Sequence, residues 1–580
     1  MHRARIPDCS KVKTGFKNWF FSTEVLVDKV RGCLMGAIIS VTLGEICAYR
    51  FLRQDVTAGH LPPYMTDLFI VLLAVLETIV APFIGWVGQN RRRIMLAVAC
   101  FVTAVFTFLW FALPKVHVGS EGVEFCKINN TSPDIGSGSN IPLRLPIIIL
   151  TFIFFGVTRL IVFSHGTAYI DEHAPSKMTL HFGILTTFRM LAFVVGYTML
   201  TEFLETNMTV QILLIAIGLS INSLQVIMNM PREAPKTEEL APIPRDDRRF
   251  FSSMGRIFSN TLVTSQMVAM ALTASAIWGF AYHQEAFIEA KYNLHLERNL
   301  AVKYAEILRL HIVVFVAVFL GVIFGPPMMQ KIEKKDLLSI TIKAYALMIL
   351  AYFASGALPC TTGKVAGLQE MSYMQPQCSQ TCGCDIERPE ILPVCVADQM
   401  ITYMSPCHAG CSGVERINGI QVYTNCTCAP LTGRAIRGSC SDYSCRGIFG
   451  LHELLYTVML SGSALAIQAH GMVMLRSVDN RDKSVLVGLI SSAVALFAFC
   501  CGHLLFLGIS ARTCNWYENG RCQLQNKMFP FVTGAVCAAI ILFSLLITIT
   551  TVVFMNKAAK RDKSEPPVEQ EAGPANNIGM

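Results

Sequence analysis

Twelve apolar windows, each about the length needed to cross a bilayer, constrain this 580-residue chain more than any other feature. A hydrocarbon core about 30 Å thick asks for about 20 mostly apolar residues per crossing helix. Windows of that kind lie near 33–52, 65–87, 94–113, 143–168, 180–202 and 209–229, and again near 261–282, 304–328, 336–357, 448–474, 484–510 and 528–555. Between the two sets runs a polar stretch with Pro235, Pro242 and Pro244 among mixed charges, the composition of a solvated linker. Six windows on either side of a linker predict an all-α membrane protein built from two six-helix halves. Only 15% of the residues are charged, against about 25% in soluble domains, so lipid rather than water is the main solvent.

The formal charge of +8 gathers in the N-terminal tail and in short loops such as Arg91 to Arg93 and Lys331 to Lys335. Basic loops mark the cytoplasmic side of a membrane. An even number of crossings then puts both termini there, and the charge reads as anchoring rather than nucleic-acid binding. In each half the loop after the second helix, Gly85 to Arg93 and Gly325 to Lys335, runs from glycine into clustered basic residues. The basic start from Arg3 to Lys17 leads to no short apolar stretch with a cleavage site, so the first window is expected to serve as the insertion signal. The expected divisions are a tail at 1–32, a six-helix half at 33–229, a linker at 230–258, three helices at 259–357, an external loop at 358–447, three helices at 448–555 and a tail at 556–580.

Of the 21 cysteines, eleven stand in the external loop: Cys360, Cys378, Cys382, Cys384, Cys395, Cys407, Cys411, Cys426, Cys428, Cys440 and Cys445. That density is typical of a disulfide scaffold formed in an oxidising compartment, which places the segment outside and leaves its pairing open. Zinc is the weaker use of these cysteines, because His408 is the only histidine among them. No metal and no cofactor is expected. Cys33, Cys47, Cys100, Cys500, Cys501 and Cys537 lie in the windows and read as small apolar packing residues. The glycan acceptors Asn129, Asn130, Asn207 and Asn425 all fall in loops predicted to be external.

Several strings carry a specific resemblance. The loop contains Cys382-Gly383-Cys384, Pro393-Val394-Cys395, Thr402-Tyr403, Ser405-Pro406-Cys407-His408-Ala409-Gly410-Cys411 and Asn425-Cys426-Thr427-Cys428. The run from PVC through TY to the next cysteine resembles a Kazal-type module. Together the strings are similar to the large external loop of the organic anion transporting polypeptides, a family of the major facilitator superfamily. Tyr169-Ile170-Asp171-Glu172, Gly183-Ile184-Leu185, Gly196, Phe111-Ala112-Leu113-Pro114, Arg476-Ser477-Val478, Lys483-Ser484, Gly488, and Cys514 with Cys522 resemble the same family. The chain departs from it where Val210 to Leu214 replace a tryptophan-rich signature, and where Phe155 and Ala495 stand at positions that are basic in many members. The resemblance implies a twelve-helix major facilitator bundle with a disulfide-rich Kazal-like extracellular domain. It also implies sodium-independent exchange of bulky organic anions, such as bile-acid-like conjugates, steroid sulfates, thyroid hormones and prostanoids, across the plasma membrane by alternating access.

Ionisable side chains at bilayer depth are costly, about 2.5–3.5 kcal/mol on insertion scales, and those retained face a bundle interior or a watery cavity. Glu77, Arg159 and Arg189 lie deepest in their windows and are the first candidates for a substrate site, with a structural ion pair as the plain alternative for the arginines. Glu77 and Lys343 also match charged positions of the family, although Lys343 is close enough to a helix end to snorkel. Glu45, five residues before Arg50, is expected to pair near the surface. Arg309, His311, His452 and His503 sit in or near external helix halves, where a histidine could confer pH dependence. No P-loop, HExxH string or nucleophile elbow is present, so the chain is not expected to be an enzyme or an ATP-driven pump. The rival reading is a membrane-anchored Kazal-like receptor or adhesion protein that has lost transport.

Overall fold

In the computed structural model the described residues are 23–57, 61–62, 64–112, 125–126, 141–173, 178, 180–186, 188–189, 192, 208–230, 249–292, 332–360, 364–369, 372–384, 392–417, 420–440, 443–518 and 521–564. The first half contains α1 (Thr23–Thr57), α2 (Met65–Trp86), α3 (Arg92–Phe108), α4 (Ile141–His173) and α5 (Met208–Asn229). The second contains α6 (Phe250–Ser259), α7 (Thr261–Tyr282), α8 (Gln284–Tyr292), α9 (Lys334–Ala357), α10 (Tyr443–Leu475), α11 (Lys483–Val494), α12 (His503–Arg512) and α13 (Phe529–Ser564). A π-helical stretch, Ala495–Gly502, joins α11 to α12 into one crossing. Among the described residues nine helical segments have the length and apolarity of a membrane span, and α3, at 17 residues, falls just short of them. The predicted window 304–328 and most of 180–202 lie outside the described residues.

Large apolar side chains point out of the bundle, as at Ile79, Leu350 and Phe543, while small ones such as Ala37, Ala81, Ala97 and Ala466 are buried. That inversion suits helices whose association depends on close packing rather than on escape from water. Polar bonds fix neighbours within each half. Thr103 meets Thr158 at 2.7 Å, tying α3 to α4, and in the turn that follows α3 the Trp110 indole donates to Thr151 of α4 at 2.8 Å. In the second half Gln266 meets His470 at 2.6 Å, His470 meets Tyr345 at 2.6 Å and Tyr345 meets Thr273 at 2.7 Å. This buried chain links α7, α9 and α10.

The cysteine-rich segment folds into a small domain at one end of the bundle. Its main sheet has the order β1-β5-β4-β8-β7-β6, from β1 (Lys364–Val365), β4 (Val394–Val396), β5 (Ile401–Tyr403), β6 (Gly413–Ile417), β7 (Ile420–Thr424) and β8 (Arg434–Arg437). The core is little more than Val394, Val396, Tyr403, Tyr423 and Ala435 with their cysteines, so cross-links supply what so small a core cannot. Burial raises the Tyr403 and Tyr373 phenols above their ordinary value. Gly410 closes the turn of the SPCHAGC string with a φ of +71°, and a side chain there would run into Thr427.

Every cysteine predicted to be cross-linked is. The pairs are Cys360–Cys445, Cys378–Cys428, Cys384–Cys407, Cys395–Cys440, Cys411–Cys426 and, in the β9–β10 hairpin (Cys514–Glu518 and Arg521–Gln525), Cys514–Cys522. Eleven is odd, and the cysteine left over reaches beyond the loop. Cys382 bonds Cys126, 256 residues earlier, in the segment between α3 and α4. Cys126 N–H also donates to the Cys411 carbonyl at 2.9 Å, and the neighbouring Phe125 ring packs toward Tyr423. The first half is thus bonded to the domain carried by the second. With a protease site inserted in the 230–258 linker, the cut halves should migrate together on a non-reducing gel and separate on reduction. Cys126→Ser should separate them without reductant.

A candidate substrate site and the seam between the halves

The three deepest charges predicted in the first half come together with a fourth. Arg159 on α4 reaches Glu77 on α2 at 2.6 Å and Glu45 on α1 at 2.9 Å. Sequence spacing had suggested that Glu45 pairs near the surface. It faces α4 instead, because the α1 side that carries it packs along α4. One guanidinium therefore bridges two carboxylates at depth, each of the three side chains being 15–20% exposed. Arg159 is committed to structure by this geometry, and its planar fork suits the task better than a lysine's point charge.

Arg189 is different. The charges of Arg159, Glu45 and Glu77 reach it, but among the described residues its close neighbour is a ring, with the guanidinium carbon 5.1 Å from the centroid of Phe163. Its side chain is part-exposed. A guanidinium stacked on an aromatic face keeps its in-plane donors for an anion. The four-residue cluster is formally neutral, with its two carboxylates both held by one arginine. Lys343 stands apart, exposed on α9 beside Glu333 and Asp336, and Arg309 and His311 lie outside the described residues.

The halves meet along α2 and the α11–π–α12 crossing. At the end opposite the disulfide-rich domain, a side chain at Gly85 would strike the Ser484 carbonyl oxygen, and one at Gly488 would strike that of Ala81. Two glycines thus set the close approach of α2 and α11. Beside them Lys483 pairs with Asp171 across the seam, 312 residues away, both nearly buried. Glu172, next in sequence, pairs with Arg92 of its own half at 2.7 Å. Midway, Ser492 donates to the Thr78 carbonyl at 2.6 Å. At the domain end Asp67 on α2 accepts from Tyr282 on α7 at 2.5 Å and lies 3.4 Å from His503 on α12. His452, also predicted to lie on the external side, meets Ser355 at 2.8 Å within the second half. Sequence analysis singled out the segments holding Asp171 and Lys483 without joining them. A buried lysine and aspartate at the ends of apolar windows were the available signal.

Two helical halves packed on a lengthwise seam, with a charged cluster in one of them, define a multi-pass membrane protein of major facilitator type. Two solved structures support that fold at a TM-score of 0.50. The human organic anion transporter MFSD10 (TETRAN) is 10% identical over 91% of this chain and 99% of its own. FucP, a major facilitator superfamily transporter crystallised in an outward conformation, is 9% identical over 89% of this chain and 98% of its own. A profile of the Organic Anion Transporter Polypeptide (OATP) family matches residues 60–220 and 220–529, and the chain belongs to that family. Among curated relatives, human solute carrier organic anion transporter family member 2B1 is 24% identical over 53% of this chain and 45% of its own length. Mouse family member 4C1 is 20% identical over 95% of this chain and 82% of its own. With the first of these relatives, and with its rat and mouse counterparts, the match spans less than half of the relative's length.

Removing one partner of a buried ion pair costs about 3–5 kcal/mol, because a charge is left uncompensated. Arg159→Met should therefore lower the thermal stability and yield of the purified protein sharply. Adding Glu45→Gln and Glu77→Gln to that variant should restore much of the loss, measured as melting temperatures in one detergent.

Proposed function

We propose that the chain moves bulky amphipathic organic anions across the plasma membrane without sodium, by alternating access and in exchange for another anion. The observation that carries this reading is Arg189, a cation at depth beside the Phe163 ring and outside the ion triad. In an anion site the charge fixes orientation while apolar walls take up the body of the ligand. Phe163 supplies such a wall at the guanidinium itself. The triad holds α1, α2 and α4 in place with both of its carboxylates bonded to Arg159, so among the described residues an arriving anion meets Arg189 without a competing carboxylate bonded to it. Family membership favours organic anions as the class. An inert anchor would have no use for four charged side chains at this depth, which disfavours the adhesion reading.

In this reading the α2–α11 seam is the surface about which the halves rock, with Lys483–Asp171 at one end and Asp67 with Tyr282 and His503 at the other. The disulfide-rich domain faces outward and both termini face the cytoplasm.

Uptake of labelled steroid sulfate and bile-acid conjugates by expressing cells tests the site. Arg189→Ala should abolish most uptake at unchanged surface abundance, and Arg189→Lys should recover part of it. Full uptake by Arg189→Ala would remove the residue from the mechanism. Asn425, exposed in the domain with a φ of +56°, should carry a glycan. Its removal by glycosidase should shift the wild type more than Asn425→Gln, and an identical shift would contradict the outward placement.

A further inference from the structure

Helix α6, which ends the linker, is set off from α7 by Asn260, whose extended backbone (φ −86°, ψ 95°) breaks the helix between them. The Asn260 side chain then accepts from Val263 N–H to start α7. One face of α6 is buried through Ser253 and Ile257. Phe251 is 82% exposed and Phe258 48% exposed. Positions 251, 255 and 258 share one face at helical spacing, and there the chain places Phe251, Gly255 and Phe258. A helix end facing water would carry charge on that face.

Both halves hold α6. The Phe250 ring lies 5.9 Å from Trp86 and 6.2 Å from Phe83, at the end of α2 in the first half. Arg256 forks onto Asp482, just before α11 in the second half, at 2.8 and 2.7 Å. Phe83 is itself 52% exposed, on the outward surface of α2. The apolar exterior of a crossing helix therefore continues onto α6 at the end of the bundle away from the disulfide-rich domain.

We propose that α6 lies in the bilayer interface of the leaflet opposite that domain, with Phe251 and Phe258 seated among the phospholipid acyl chains. Amphipathic helices bury an apolar face about 5–10 Å into the headgroup–acyl boundary, and aromatic side chains favour that depth. Held by Phe250 to one half and by Arg256 to the other, the helix straps the closed end of the α2–α11 seam to the membrane surface.

The test uses the full chain in nanodiscs of phosphatidylcholine and phosphatidylserine, with p-benzoylphenylalanine placed at Phe251, at Phe258 or, as a buried control, at Ile257. After irradiation, intact-mass spectra should show one added phospholipid at positions 251 and 258, several-fold more often than at 257. Unchanged melting temperatures would show that the conservative replacements fold. Absence of lipid adducts at both exposed positions would overturn the proposal. So would cross-links to a second protein chain in their place, which would make this face a protein interface.

Discussion

The bridge from Arg159 to Glu45 and Glu77 is the constraint on which the first half depends. Lipid supplies no water to solvate a charge, so each of the three side chains needs the other two. One guanidinium fixes the relative rotation of α1, α2 and α4, something apolar packing alone specifies poorly between helices. Arg189 can stay outside this arrangement only because the bridge already satisfies both carboxylates. The second half achieves a similar end with neutral groups, in the chain from Gln266 through His470 and Tyr345 to Thr273.

The seam shows how the halves stay in contact. Gly85 and Gly488 remove the side chains that would hold α2 and α11 apart, and the polar bonds along it are few. Lys483 and Asp171 are nearly buried, so parting them requires water or another partner to take their place. Around these contacts the seam is apolar, with Ala81 and Ile84 of α2 in one buried cluster with Val485, Leu486 and Leu489 of α11.

Most of the architecture was legible in the sequence, because hydropathy reports on the solvent and the solvent here is lipid. Ten of the apolar windows correspond to helices, and the cysteine density marked the domain. Pairings were less legible. Nothing local to Cys126 distinguishes it from an ordinary loop cysteine, and it was not among the cysteines expected to be cross-linked. Glu45 was misplaced because its distance along the chain to Arg50 says nothing about which helix its face meets. The link between Asp171 and Lys483 was out of reach for the same reason, since it depends on how two halves dock. Helix α6 escaped notice because ten residues are too few to register as a crossing.

The Cys126–Cys382 bond also sets an order of events during synthesis. Its two cysteines are 256 residues apart, and at about 5–20 residues per second the ribosome needs about 10–50 s to make the second after the first. Throughout that interval Cys126 waits, reduced or transiently paired, for a domain that has not yet emerged. The bond can close only when the crossings between its two cysteines have been inserted, so an oxidised Cys126–Cys382 pair certifies that this middle part of the chain has threaded the bilayer.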